Sequence, residues 1–300
     1  MNPISRRNFV ISASAVVASL PFLDVSAFAN PLGLPLGIQL YSVRQQMVED
    51  FDAALAGVRA AGYTEVEAAA LPKKSASEIR ASLDKAGLRC VSAHHSIADL
   101  QTKLDEVAAF DKQLGVKYII CPGPGYRTPR TQAPGSAQAV LTLDDWKYNA
   151  EQFNQIGEKL AAMGITFGYH NHSREFRPTE GQVPYLELLR LTDPRKVTFE
   201  LDCGWAMVAG VNPADLMREH PHRFSMVHVK DFKLPGTPSY ETREAKVTEL
   251  GLGSIDYKPI FAQAAKNQHI MHAFVEQEAF DMPWQQALKV DADYLRSLPS

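Results

Sequence analysis

Five of the nine histidines follow directly on short apolar runs: His94 and His95 after CVSA, His170 and His172 around the end of ITFGY, and His228 after FSMV. Other polar residues hold the same position elsewhere. Gln39 and Tyr41 close a first run, Glu67 a second and Asp202 a sixth, while Lys230 follows His228 and Glu276 with Glu278 closes the last. Residues two apart on a strand face the same side. On that rule Gly168, His170 and His172 share a face, as do Phe224, Met226 and His228, and His272, Phe274 and Glu276. Turned inward, His170, Asp202, His228 and Glu276 come from four consecutive runs and converge. Two imidazoles and two carboxylates suit one divalent cation, Mn2+, Zn2+, Fe2+, Co2+ or Mg2+. Glu200 has the parity of Asp202 and reads as a hydrogen-bonded core carboxylate lower down.

Side chains can converge in this way only if the runs are strands ending together, and the chain between them supports that. From Leu34 onward it repeats one phrase: an apolar run, a loop, an amphipathic helix, then a glycine. Phe51, Leu55 and Val58 recur at helical spacing before Gly62. Ser75-Ala76-Ser77-Glu78 has the capping-box spacing, and Ile79, Leu83 and Ala86 lead to Gly87. Strands are expected at 36–41, 64–68, 88–92, 117–121, 165–170, 197–202, 224–229 and 270–276, with late helices at 213–219, 254–267 and 284–298. Eight β-then-α units in roughly 270 residues predict an α/β fold, a single closed (β/α)8 TIM barrel over residues 30–300, with chemistry at the C-terminal strand ends. A doubly wound sheet would carry a glycine-rich nucleotide turn. Gly123-Pro124-Gly125 is the nearest candidate, and it opens a stretch, 123–142, that reads as an excursion over the top face.

Composition narrows the partners. The 300 residues are 45% hydrophobic and 22% charged, with 31 Lys and Arg against 34 Asp and Glu, a net charge of -3. Such a chain has no cationic excess for nucleic acid or an anionic membrane. Cys90, Cys121 and Cys203 fall in or beside strands and read as buried thiols. Residues 1–29 are a different material. Ser5-Arg6-Arg7-Asn8-Phe9-Val10, an uncharged stretch to Leu23 and Ala27-Phe28-Ala29 resemble a bacterial twin-arginine (Tat) signal cut after Ala29, which implies export to the periplasm. Removing it takes away Arg6, Arg7 and Asp24 and leaves a net charge of -4 and no membrane segment.

GIQLYSVR at 37–44, EVEAAAL at 65–71, VSAHHS at 91–96, GYHNHSREF at 168–176, LDCGW at 201–205, VHVKDF at 227–232 and FVEQE at 274–278 resemble strand-end motifs of a known family. It is the xylose-isomerase-like TIM barrel group, also called AP endonuclease family 2 or sugar phosphate isomerase/epimerase. The resemblance implies one divalent metal and proton transfer beside a sugar carbonyl, by isomerases, epimerases or dehydratases. Asp202, His228 and Glu276 match the family's ligands of strands six to eight. At strand five the better-studied epimerases place a glutamate where this chain has His170, which bears on the identity of the second base.

A metal on a substrate oxygen stabilises the enediolate left when the neighbouring C–H loses its proton. Glu276 is expected to be both ligand and base, with Glu175, Glu67 or His172 on the opposite face and Lys230 steadying the oxyanion. Gln39, Glu67, His94 and a rim-placed Trp205, which would stack on a sugar face, are the expected substrate contacts. The alternative for Lys230 and Asp231 is a solvated loop pair. The leading expectation is a sugar isomerase or epimerase acting on an unphosphorylated sugar or keto-glycoside, because phosphorylated sugars are mainly cytoplasmic. A lyase on the same intermediate and a noncatalytic periplasmic sugar-binding barrel are the alternatives, and an oligomer is compatible with all three.

Overall fold

The computed structural model describes residues 30–128, 140–234, 236–240 and 245–299. The expected leader at 1–29, and residues 129–139 of the expected top-face excursion, lie outside the described residues.

Seven strands stand side by side in chain order: β1 (Gly37–Gln39), β2 (Glu65–Ala68), β3 (Arg89–His94), β4 (Tyr118–Cys121), β5 (Thr166–His170), β6 (Val197–Asp202) and β7 (Phe224–Val229). Beyond β7 the chain forms an antiparallel hairpin, β8 (Asp231–Lys233) with β9 (Lys246–Thr248), which the apolar pattern did not announce. The next strand, β10 (His272–Val275), pairs in parallel with both β7 and β1 and closes the eight-stranded barrel. Around it run α1 (Arg44–Glu49), α2 (Phe51–Ala61), α3 (Ala76–Ala86), α4 (Ile97–Thr102), α5 (Leu104–Leu114), α6 (Leu143–Ala162), α7 (Pro184–Leu191), α8 (Cys203–Val208), α9 (Pro213–Glu219), α10 (Tyr257–Asn267) and α11 (Trp284–Ser297). Among the described residues no helix is long and apolar enough to cross a membrane.

Local chemistry sets these boundaries. The Ser75 hydroxyl accepts from the Glu78 N–H while the Glu78 carboxylate accepts from the Ser75 N–H, so two otherwise unpaired donors of α3 are satisfied. The helix stops where Gly87 takes a φ of 70°, a left-handed conformation costly for any residue with a Cβ. The helices' apolar stripes, such as Phe51, Leu55 and Val58 of α2, pack on the outer face of the barrel.

The interior is layered. At its N-terminal end Glu65 accepts from Arg89 at 2.6 Å and pairs with His272 at 2.7 Å. Val91, Ile120, Met226 and Phe274 form a separate apolar plug inside the barrel. Two bulges adjust the strands, one shifting β2 against β3 between Val66 and Glu67, the other β6 against β7 between Phe199 and Glu200. The second bulge corrects the expectation that Phe224 shares the face of Met226 and His228. Phe224 packs outside against Phe199, ring centroids 6.4 Å apart, whereas Met226 and His228 point inward. With the shift, Glu200 lies opposite Met226 and Asp202 opposite His228.

Candidate metal centre and its cavity

Above the apolar plug polar side chains gather from β1, β2, β3, β5, β6, β7 and the end of β10, and the lower tier is a hydrogen-bonded cluster. Glu200 Oε2 lies 2.9 Å from His94 Nε2, 3.0 Å from His170 Nδ1 and 3.2 Å from His228 Nε2. Glu67 Oε1 lies 2.7 Å from His228 Nε2 and 2.9 Å from His94 Nε2. Glu67 also accepts from the Gln39 amide at 2.7 Å and from the Ser92 hydroxyl at 2.5 Å. Burial pushes the Glu200 carboxyl up, but His228 and the three ring contacts outweigh it and hold it well below the usual range. For His94, burial opposes the charged form and Glu67 with Glu200 overcomes it, raising the ring to about 9.

The upper tier contains the expected ligand set. Asp202 caps α8, its Oδ1 accepting from Trp205 N at 2.8 Å. Its other oxygen, Oδ2, is buried with no hydrogen-bond partner, 3.9 Å from His170 Nε2 and 3.7 Å from Lys230 Nζ. Glu276 Oε2 lies 3.2 Å from His228 Nδ1 and 2.8 Å from Lys230 Nζ. One donor atom from each of His170, Asp202, His228 and Glu276 falls within 4.8 Å of the others. An orphaned buried carboxylate oxygen is costly, and a cation between these four donors would satisfy it, so the residues fit a divalent metal. A second group, His94, His170, Glu200 and His228, meets the same distance limit one tier lower. The lower group also reaches the cavity, through His94 and His170, but its Glu200 Oε2 is already taken by three ring nitrogens, whereas the upper group adds Glu276 and the open Asp202 Oδ2.

A cavity of about 620 Å³ opens over the upper tier, with His94, His170 and Glu276 in its floor. His172 and Trp205 stand in its wall, their ring centroids 6.1 Å apart. His172 Nδ1 is buried without a hydrogen-bond partner. Burial, and then the neighbouring charge of His170, Arg174 and Lys230, keeps the ring well below its ordinary pKa and therefore neutral. Glu278 also lines the cavity and accepts from Lys230 at 2.6 Å.

Several expectations need correction. Lys230 and Asp231 are not a solvated pair, each being 1% exposed. Burial disfavours the Lys230 cation, yet Glu276, Asp202 and Glu278 hold its pKa above the ordinary value. Asp231 accepts from the N–H groups of Phe232, Gly251, Gly253, Ser254 and Ile255, organising the loop after β9. A Cβ on Gly253 would stand 2.2 Å from Asp231 Oδ1, so this close wrap requires glycine. Trp205 is not at the rim but in the wall, 2% exposed and packed on Phe232 at 4.7 Å. Glu175, a candidate second base, is turned out of the cavity. Its carboxylate accepts from Tyr169 OH at 2.8 Å and His172 N at 3.0 Å, because the 3-10 turn Arg174–Phe176 tucks it against the outward side of β5. Gln39 and Glu67, expected to contact substrate, do not line the cavity; His94 and Trp205 are the members of that set that do. Glu276, expected as base, has Oε2 engaged. Burial raises its carboxyl, but Lys230 and His228 outweigh that and hold it well below the usual range, so it stays ionised.

The sequence reading missed Tyr41, Arg174 and Arg177 as cavity residues. Tyr41 reaches the wall because the chain turns into a 3-10 helix at Leu40–Val43, breaking the alternation that would have paired it with Gln39. Arg174 was visible within SREF, though only a fold places that loop over the barrel mouth.

Comparison with known proteins adds to this geometry. A family profile described as xylose isomerase-like TIM barrel matches residues 55–298. The inosose dehydratase of Clostridium beijerinckii is 24% identical over 261 residues, covering 80% of this chain and 87% of that protein. That of Geobacillus kaustophilus is 25% identical over 247 residues, covering 76% and 80%. A sugar phosphate isomerase/epimerase structure from Parabacteroides distasonis superimposes with a TM-score of 0.70 at 27% identity, covering 88% of this chain and 98% of that one.

Proposed function

This chain belongs to the xylose isomerase-like TIM barrel family, and from that premise we propose that it is a divalent-cation-dependent lyase. Its substrate class is a polyhydroxylated ring ketone, a keto-inositol or unphosphorylated keto sugar, from which it removes water. The observation that carries the reading is the orphaned Oδ2 of Asp202 among His170, His228 and Glu276, at the floor of a cavity that has a base on one wall and a proton donor on another.

Elimination asks for both. A base must take the proton beside the carbonyl, and an acid must protonate the hydroxyl that leaves. His172, two residues beyond β5, lines the cavity with an unpartnered ring nitrogen, and it takes the proton. Glu278, beyond β10, shares the Lys230 ammonium, so this pair supplies the departing oxygen with its proton. β6 and β7 separate these two sources in the barrel. The C–H electron pair becomes the new double bond, the C–O bond breaks, and hydroxide leaves protonated as water. A divalent cation held by His170, Asp202, His228 and Glu276 would act as a Lewis acid on the ketone oxygen. Arg174 and Arg177 bring positive charge to the cavity mouth, where ring hydroxyls or an anionic substituent would dock.

The names of the two dehydratase relatives favour elimination over the isomerase reading expected first. Isomerisation or epimerisation remains the second reading, supported by the isomerase/epimerase likeness at 27% identity. Incubating metal-loaded protein with inososes and 3-keto-glycosides in D2O separates the two. A conjugated enone with loss of one water supports the lyase. Solvent deuterium entering a substrate carbon without water loss supports the isomerase, and sugar binding with neither would make the protein a binding barrel.

A further inference from the structure

We propose that Glu200 is the positioning residue for both imidazole ligands, fixing His170 and His228 in opposite tautomers so that one presents Nε2 and the other Nδ1 to the cation. The inference rests on the reading that His170, Asp202, His228 and Glu276 hold a divalent metal.

An ionised carboxylate accepts hydrogen bonds and cannot donate them. Each ring nitrogen facing Glu200 Oε2 therefore carries its hydrogen: His94 Nε2 at 2.9 Å, His170 Nδ1 at 3.0 Å and His228 Nε2 at 3.2 Å. In a neutral imidazole the lone pair then lies on the other nitrogen. For His170 that is Nε2, facing Asp202 Oδ2; for His228 it is Nδ1, which in the metal-free cluster donates to the Glu276 carboxylate at 3.2 Å and would give up that hydrogen for a cation to bind. With a cation bound each ring would thus span two tiers, with its hydrogen on the carboxylate below and its lone pair toward the donors above. Of the two ligand rings Glu67 touches only His228, where it is the nearer partner of Nε2, 2.7 Å against 3.2 Å for Glu200, and it is itself held by Gln39 and Ser92. Among the described residues Glu200 is the one carboxylate on the lower tier that reaches both ligand rings.

The strand explains how one residue does this. Glu200 and Asp202 share the inward face of β6 two positions apart, about 6.5 Å along the strand. The bulge at Phe199/Glu200 brings Asp202 level with His228 and leaves Glu200 beneath the rings. The segment FELD therefore supplies a ligand and the anchor of two other ligands from a single strand. Outer carboxylates of this kind set ring orientation and raise ligand basicity, and losing one typically weakens metal binding by about 10 to 100-fold.

The test loads the full-length metal-free protein with cobalt(II) for affinity and with 113Cd for nuclear magnetic resonance of 15N-labelled histidine. In wild type, cadmium coupling is expected to Nε2 of one histidine and Nδ1 of another. Coupling through the same nitrogen type in both rings would overturn the proposal, and this result needs no variant. Glu200→Gln keeps the shape but turns an N–H toward one ring. It should bind cobalt about 10 to 100-fold more weakly and lose the mixed coupling pattern, with a wild-type circular dichroism spectrum of the metal-free variant as the fold control. Glu67→Gln, which touches His228 alone of the two rings, should lose less. If Glu200→Gln does not fold, Glu200→Asp, which keeps the charge but retracts it, should show an intermediate loss. Wild-type cobalt affinity in the folded Glu200 variant sinks the proposal. The metal reading fails separately, if wild type takes up no cobalt or if Asp202→Asn and His228→Ala bind it as wild type does.

Discussion

Lys230 Nζ stands 2.8 Å from Glu276 Oε2 and 3.7 Å from Asp202 Oδ2, a buried cation shared by the two carboxylates of the candidate metal centre. Removing it leaves both, with Glu278, short of positive charge. Breaking a buried pair by deleting one partner typically costs about 3–5 kcal/mol. Lys230→Met should lose stability of that order in denaturant unfolding of the metal-free protein, and added divalent cation should recover more stability in the variant than in wild type. Water elimination should fall by about 10² to 10⁴. Unchanged metal-free stability would show that the ammonium is not what balances this cluster.

His172 and Glu175 lie three residues apart and are assigned different work. His172→Gln removes the proton acceptor on the cavity wall, so turnover should fall by about 10² to 10⁴ while sugar binding and melting temperature hold. Glu175→Gln should behave in the reverse way. It weakens the contacts to Tyr169 OH and His172 N, costing about 1–3 kcal/mol of stability with a smaller effect on rate. Steady-state kinetics with thermal melts of both variants decides it, and a larger rate loss in Glu175→Gln would transfer the base role to that residue.

Away from the site, Asp291 of α11 gives a pH signature. Burial raises its carboxyl from 3.8 to about 8, Glu249 and Asp231 add to the rise, and the hydrogen bond from Leu250 N opposes it. Between pH 4 and pH 8 the folded chain then keeps a proton that the unfolded chain has lost. Native stability should be highest near pH 4 on this account and decline as pH rises toward 8, by at most about 1.4 kcal/mol per pH unit. Asp291→Asn should flatten that decline. A variant with the wild-type slope in urea unfolding across this range would remove Asp291 as its source.

We propose that the leader at residues 1–29 sends the folded chain to the periplasm. Changing Arg6 and Arg7 to Lys should leave the protein in the cytoplasm, as read by cell fractionation. Undiminished periplasmic accumulation would show that the twin arginines are not an address.

The barrel was legible because parallel strands covered on both faces read as apolar runs, and because their polar ends stood out against those runs. Alternation then sufficed to converge His170, Asp202, His228 and Glu276, which share one small volume. What alternation hides is any place where the backbone departs from it. The bulge before Glu200 turned Phe224 outward, and the 3-10 turn at Leu40–Val43 exchanged Gln39 for Tyr41 at the cavity wall. Charge misleads in the same way. VKDF has the composition of a solvated turn, and only the carboxylates of strands distant in sequence and the loop folded over Asp231 bury Lys230 and Asp231. Glu200 was visible by parity, yet its role depends on three histidines from β3, β5 and β7 that no local pattern connects.

Metal content measures the central claim most directly. Purified wild-type protein, reconstituted and dialysed, should carry one divalent ion per chain by elemental analysis. His228→Ala should lose most of it while keeping the wild-type circular dichroism spectrum, since the remaining donors sit on rigid strand ends. Full occupancy in folded His228→Ala, or a wild-type protein that retains no divalent ion, would contradict the account.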